Sequence, residues 1–351
     1  MDNTKMTVNV LPSPTWRWMK LNDQQVEITA PVSEGSFRLT LPEGISRTET
    51  DYTEIKDIPG GMGYDMDTFA MHAGVPVTKF TAAKGQRTAL PVVIDLDYQE
   101  GCSSLNLYEL SAEEDSEMTV IMFFTAEEAA AGQAIVQTKI RAEKNARVRL
   151  VQAEKLGRDF RFYNDIGTRV SDGAAFEQIS LVLRGGKTWQ GSRTDLAGTG
   201  STLRTDIGYL LKGDETLDMN YIANHIGRKS QCEINANGVL RDRAGKLFRG
   251  TIDLRKGAKG AVGNEMEDVL LMDDHVVNQT IPVILCDEED VEGNHGATIG
   301  RLDESLLFYL ESRGMDRSAV YEMMAAARID AVISRIPDAA ARERLYQRQT
   351  I

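Results

Sequence analysis

Val151-Gln152-Ala153-Glu154-Lys155-Leu156-Gly157, Ile179-Ser180-Leu181-Val182-Leu183-Arg184-Gly185 and Ile207-Gly208-Tyr209-Leu210-Leu211-Lys212-Gly213 repeat one pattern at a spacing of 28 residues. Each is a short apolar run closed by glycine. Val151, Ile179 and Ile207 keep one offset, Leu183 and Leu211 another, and Thr188 and Thr216 follow the glycine turns at a third. A period of this length in strand-rich sequence suits a parallel β-helix, where each coil stacks its apolar side chains on the next. Evenly spaced hairpins of an antiparallel sandwich would give the same spacing, so periodicity alone leaves both open.

Outward from this stretch the chain changes character twice. Apolar runs of strand length recur at 92–96, 105–110, 118–124, 148–151, 179–183 and 207–211, and no proline occurs from Val92 through Thr280. Before them, Pro12, Pro14, Pro31, Pro42, Pro59 and Pro76 break the text into short alternating pieces such as Val26-Glu27-Ile28, where no long helix fits. After Gly300 the period becomes helical. Asp303 is placed to cap a helix carrying Leu306, Leu307 and Leu310, with Gly314 as its stop. A second helix is expected from Asp316, with Val320, Met323, Met324, Ala327 and Ala331 inward and Pro337 ending it. An Arg-rich segment, 338–349, follows. The expected organisation is an irregular N-terminal cap (1–88), a β-helix core (89–300) and a C-terminal helical domain (301–351).

Composition narrows the function. The chain has 351 residues and 42% hydrophobic content, enough for a substantial core. A net charge of −13 disfavours nucleic acid and anionic membranes. No apolar run approaches the roughly 20 residues of a membrane span, and the start of the chain lacks the apolar stretch of a secretory signal, so a cytoplasmic location is expected. Cys102, Cys232 and Cys286 are odd in number and lack CxxC spacing, which argues for reduced thiols. The segment 263–293 carries ten acidic residues and neither Lys nor Arg. It reads as a solvated rim or, with His275 following Asp273-Asp274, as a divalent-ion site.

Catalytic signatures are sparse. Gly185-Gly186-Lys187-Thr188 has Leu181 where a phosphate loop needs glycine, so it reads as a turn. Gly60-Gly61-Met62-Gly63 neither follows a buried strand nor opens a periodic helix, which argues against a dinucleotide loop. No nucleophile elbow or zinc-protease helix occurs. The expectation is a protein that is not an enzyme. Of the four histidines, His72 reads as a surface residue and His225 as a hydrogen-bonded turn or core histidine. His295 lies between Gly293-Asn294 and Gly296-Ala297, where the backbone can approach a partner closely.

These residues reach a known pattern. Phe248-Arg249-Gly250-Thr251-Ile252, Leu270-Leu271, Val291-Glu292-Gly293-Asn294-His295-Gly296-Ala297-Thr298-Ile299-Gly300-Arg301-Leu302-Asp303-Glu304, Leu307-Phe308-Tyr309-Leu310 and Ser312-Arg313-Gly314 stand in one order. That ordered set resembles the SufB/SufD family of iron–sulfur cluster assembly proteins. Pro14 with Trp16 and Trp18 is similar to a short N-terminal segment of the same family. SufB-type members carry an acidic residue where this chain has Gly296, which places it nearer the SufD type.

The resemblance implies a right-handed parallel β-helix followed by a small helical domain. It implies a non-catalytic scaffold that pairs with a SufB-like scaffold and receives a SufC-like ATPase on its terminal helices. No cofactor is expected to bind stably, a transient iron–sulfur cluster would sit at the partner interface, and a homodimer is compatible with the isolated chain. His295 matches the position tied to cluster building, and a neutral imidazole is a reasonable iron ligand. Many SufD-type members have cysteine where this chain has Gly293. Cys286, nine residues before His295, is the candidate to compensate from a neighbouring strand, and burial as a small hydrophobe is the alternative. Arg313, Arg317, Arg328 and Arg335 are expected on the outside as the ATPase-docking surface, while Leu306, Leu307, Leu310, Val320, Met323 and Ala327 pack on the end of the β-helix. The alternative function is a solitary metal-binding β-helix protein that uses the 263–293 segment and His275.

Overall fold

The structure, a computed structural model, describes residues 3–15 and 17–347. Trp16 of the Pro14–Trp18 resemblance and Arg348 and Gln349 of the last segment lie outside the described residues. Parallel strands alternate between two sheets, so each coil of the chain contributes one strand to each. The even sheet contains β6 (Val77–Ala82), β8 (Cys102–Ala112), β10 (Ala131–Ala142), β12 (Asp159–Val170), β14 (Lys187–Leu196), β16 (Thr216–His225), β18 (Gly245–Leu254) and β20 (Val277–Cys286). The odd sheet contains β7 (Val92–Tyr98), β9 (Glu117–Ala126), β11 (Arg147–Lys155), β13 (Ala175–Arg184), β15 (Thr202–Leu211), β17 (Gln231–Leu240), β19 (Ala261–Leu271) and β21 (Val291–Gly300). This is a parallel β-solenoid of eight coils, with the continuous apolar core between its two sheets.

The 28-residue period survives only in part. Arg147 pairs with Ala175, Ala175 with Thr202 and Thr202 with Gln231, steps of 28, 27 and 29 residues. Val151 is the ladder partner of Ile179, but Ile179 pairs with Asp206, one position before Ile207. A one-residue slip turns every side chain to the opposite face. Val151 and Ile179 therefore point out of the solenoid, whereas Ile207 and Leu211 point into its core. The three glycines do share one edge, in the turns that lead from β11, β13 and β15 into the even sheet.

Both outer faces are covered, because many strand positions are apolar on both sides. The N-terminal part lies along the even sheet rather than over an end. Its antiparallel pair β1 (Thr4–Val8) and β2 (Gln24–Ile28), with α1 (Tyr64–His72), packs Met6, Val8, Ile28 and Met66 against Leu105, Ile135 and Tyr163. β3 (Ser33–Glu34) pairs with β8, and two further short strands from this region cover the edges of the first coil. β4 (Arg38–Thr40) runs antiparallel to β7, and β5 (Ile45–Thr50) runs antiparallel to β6.

The C-terminal helices correct two expectations. α2 (Glu304–Glu311) and α3 (Arg317–Ile333) begin where expected, capped by Asp303 and Asp316, whose carboxylates accept backbone N–H groups of the first turn. However, α3 and α4 (Ala339–Gln347) lie along the outer face of the odd sheet and not on the end of the solenoid. Ile329, Val332, Ile333 and Leu345 cover Ile121, Val151, Ile179 and Leu181. Accordingly Val320, Ala325, Ile329 and Val332 face inward, while Met323, Ala327 and Ala331 are exposed and Leu306 is partly so. Gly208 lets α3 come close, since a Cβ there would stand 3.2 Å from Val332 Cβ.

Candidate functional site

Among the described residues no strand pairs with the outer edge of β20 or β21, ten residues each, whereas the other end finishes in the shorter antiparallel strands β4 and β5. Alternation and register decide which side chains point into this last coil. Gly293 is aligned with Gly263, His295 with Glu265, Ala297 with Glu267 and Ile299 with Val269. The four β19 partners are buried in the interior, so His295 and its alternate neighbours face inward on the final coil, where nothing stacks above them. On β20, Ile284 is aligned with Ile252 and Cys286 with Leu254, both core residues. His295 and Cys286 thus share the open end. Cys286 is exposed, which corrects the alternative of burial, and its thiol donates to the Glu288 carbonyl at 3.2 Å. On a last coil with no coil above it, even an inward position stays in contact with solvent.

One coil down lies a polar cluster inside the solenoid. The Lys246 ammonium donates to Glu267 Oε1 and, at 2.9 Å, to Thr280 Oγ1, while Thr280 donates to Glu267 Oε2 at 2.7 Å. Tyr209 OH reaches Glu267 Oε1 at 3.4 Å. Glu265 beside them is buried, and burial, with the neighbouring Glu267 charge, pushes its carboxyl up to about 7. Burial also lowers the Lys246 pKa, which Glu267 opposes. In sequence these carboxylates look like members of a solvated acidic run. The signal that separates them is parity, since Gly263, Glu265, Glu267 and Val269 alternate on one strand face.

The other candidates lie apart from this end. His72 is exposed at the end of α1, its Nδ1 2.8 Å from the Thr68 carbonyl. His225 is buried, as expected for a core histidine, between Ser230 Oγ at 2.8 Å and Cys232 Sγ at 3.2 Å. His275 is exposed in a turn, and the acids of 263–293 are dispersed. Asp268 pairs with Arg328, Asp274 with Arg301, and Glu288 accepts from Gly257 N. Among the described residues, no group of three or more His, Cys, Asp or Glu could hold a metal ion.

The arginines divide into two pairs. Arg313 is exposed and stacks over Tyr309, with its guanidinium 4.9 Å from the ring centre. Arg317 pairs with Glu304 at 2.6 Å. Arg328, placed outside by the sequence pattern, instead turns toward the sheet and meets Asp268 at 3.3 Å, with 19% of its side chain exposed. Arg335 meets the buried Asp206 at 3.4 Å. Both fasten α3 to the solenoid.

The glycine-rich stretch 60–63 also needs correction, because Gly63 directly precedes α1. It is nevertheless filled by protein. Met62 N donates to Asp165 Oδ1 at 2.7 Å, Gly61 N donates to the Ile166 carbonyl at 3.0 Å, and a Cβ on Gly61 would stand 2.1 Å from Ser192 N. Gly60 and Gly61 are there for close contact with β12 and β14.

A family model described as "SUF system FeS cluster assembly, SufBD core domain" matches residues 99–328, well over half of the 351-residue chain. The chain belongs to the SufBD family. Among curated SufBD relatives, the iron–sulfur cluster assembly protein SufD of Escherichia coli is 27% identical over 71% of this chain and 60% of its own length. SufD of Bacillus subtilis is 28% identical over 44% of this chain and 36% of its own length. A SufBD family protein of Mycobacterium bovis is 29% identical over 32% of this chain and 13% of its own length. The chain therefore spans less than two thirds of the SufBD relatives it matches. The family match covers the solenoid from the end of β7 through most of α3, and includes His295 and Cys286. No helix among the described residues is long and apolar enough to cross a membrane.

Proposed function

We propose that the chain is a non-catalytic scaffold subunit of iron–sulfur cluster assembly, pairing end to end with a SufB-like scaffold and receiving a SufC-like ATPase on its terminal helices. The bare last coil carries this reading. β20 and β21 each expose ten residues of unpaired edge, and Ile284 and Ile299 lie on the same surface. A long bare edge with apolar side chains is a template for another strand. The names of the SufD relatives support the assembly role. Iron would be cargo here. His295 and Cys286 offer one imidazole and one thiol, donor types that iron accepts, so a partner must supply the remaining ligands.

For the ATPase, α2 presents Phe308, 73% exposed, and Tyr309, 52% exposed, beside Arg313 and Arg317. Exposed aromatic residues with arginine are the composition of an interface anchor. The test is co-expression with a SufB-like and a SufC-like protein, followed by cluster reconstitution. His295→Ala should keep the complex and lower cluster yield at least severalfold, with a smaller loss for Cys286→Ser. The chain alone should be colourless and hydrolyse no ATP. Wild-type cluster yield from the His295→Ala complex would remove the site, and a chain that purifies free of both partners would remove the scaffold reading.

A further inference from the structure

One acidic side chain near the open end makes no hydrogen bond. Glu265 is 5% exposed, yet its carboxylate accepts no hydrogen bond among the described residues. Glu267, two residues on, is satisfied by Lys246, Thr280 and Tyr209. Neither Glu265 oxygen is among the fully enclosed unpaired atoms of the described residues, so the carboxylate keeps a little solvent contact and stays able to accept a hydrogen bond. The fold also makes room for this group: Gly250 lies opposite on β18, and a Cβ there would stand 2.0 Å from Glu265 Oε2.

Its place in the ladder supplies the role. The residue directly above, one coil nearer the open end, is His295. Parallel neighbours lie roughly 4.8 Å apart, and residues in register face the same way. The inward positions flanking His295 are the small Gly293 and Ala297. An imidazole that gives one nitrogen to a metal keeps an N–H on the other, and a carboxylate, carbonyl or water normally accepts it. We propose that Glu265 is the positioning residue for His295, its free carboxylate accepting the ring N–H from one coil below while the other ring nitrogen faces iron at the open end. This rests on the reading of His295 given above and adds a residue 30 positions upstream. The bond would hold one tautomer and one ring orientation and make the imidazole a better donor.

The test uses Co2+ alone as a spectroscopic stand-in for ferrous iron, titrated anaerobically into the full chain and followed by visible absorption and by nitrogen NMR of the histidine rings. The expected result is saturable binding that His295→Ala abolishes, that Glu265→Gln weakens about 10- to 100-fold, and that Glu265→Asp partly restores. Glu265→Gln should also keep or raise the thermal midpoint, because no hydrogen bond is lost in the metal-free fold. A merely structural glutamate would do the reverse, lowering the midpoint and sparing affinity. Glu265→Gln that binds Co2+ as tightly as the parent overturns the proposal and leaves His295 standing. Binding that survives His295→Ala, or no saturable binding by the parent at millimolar Co2+, overturns both.

Discussion

Burial acts in opposite directions on His225 and Glu154. The Ser230 hydroxyl donates to the Gly227 carbonyl, so it accepts from His225 Nδ1, which leaves Nε2 to receive the Cys232 thiol proton. Burial holds this imidazole down to about 4 and pushes the thiol up to about 12. The unfolded histidine takes a proton near 6.5 and the folded one does not, so stability falls as pH drops from about 6.5 toward 4, by at most about 3 kcal/mol. His225→Gln should flatten that part of the pH profile in urea unfolding. Glu154 faces the core, and burial raises its carboxyl to about 8. Its contribution is complete below about 4.5 and is lost as pH rises through 8. Glu154→Gln should therefore add about 2 to 4 kcal/mol at pH 8.5 and little at pH 4.5, again by urea unfolding. The core role of His225 was legible from its place after a repeat strand. Glu154 was not, because a lone acid after Val151-Gln152-Ala153 looks exposed until the inward face of β11 is known.

At the level of elements, helix boundaries were readable and helix faces were not. Asp303, Asp316 and Gly314 mark local events that the backbone decides within a few residues. α3 is apolar around most of its circumference, with Val320, Met323, Met324, Ala325, Ile329, Val332 and Ile333, so its own pattern leaves the phase open. The odd sheet chooses the phase by offering Val151, Ile179 and Leu181. Ile329→Ala should cost about 2 to 4 kcal/mol of unfolding free energy, whereas Ala327→Lys should stay within about 0.5 kcal/mol of the parent, both by thermal or urea unfolding. The same limit hid Glu265, whose relation to His295 depends on a register spanning 30 residues. The repeated turns admitted the β-solenoid without excluding a sandwich, the family resemblance decided between them, and the one-residue slip between Ile179 and Ile207 was not legible.

For the whole molecule, the two proposed contacts lie on separate parts and should separate genetically. Ile284→Lys with Ile299→Lys should abolish co-purification of a SufB-like scaffold while retaining the ATPase, and Phe308→Ala with Arg313→Glu should do the reverse. Point changes are required, because removing α3 and α4 would strip the cover from Ile121, Val151 and Ile179. The covering of the first coil's edges by β4 and β5 sets a limit on assembly. A stack of coils bare at both ends could add units at each and lengthen into a fibre. With only the short antiparallel edges of β4 and β5 at one end, growth through the long bare edges of the other is expected to stop at a pair, whether the second member is a scaffold or another copy. Sedimentation at rising concentration should therefore reach a plateau at two solenoids, with no filament beyond it.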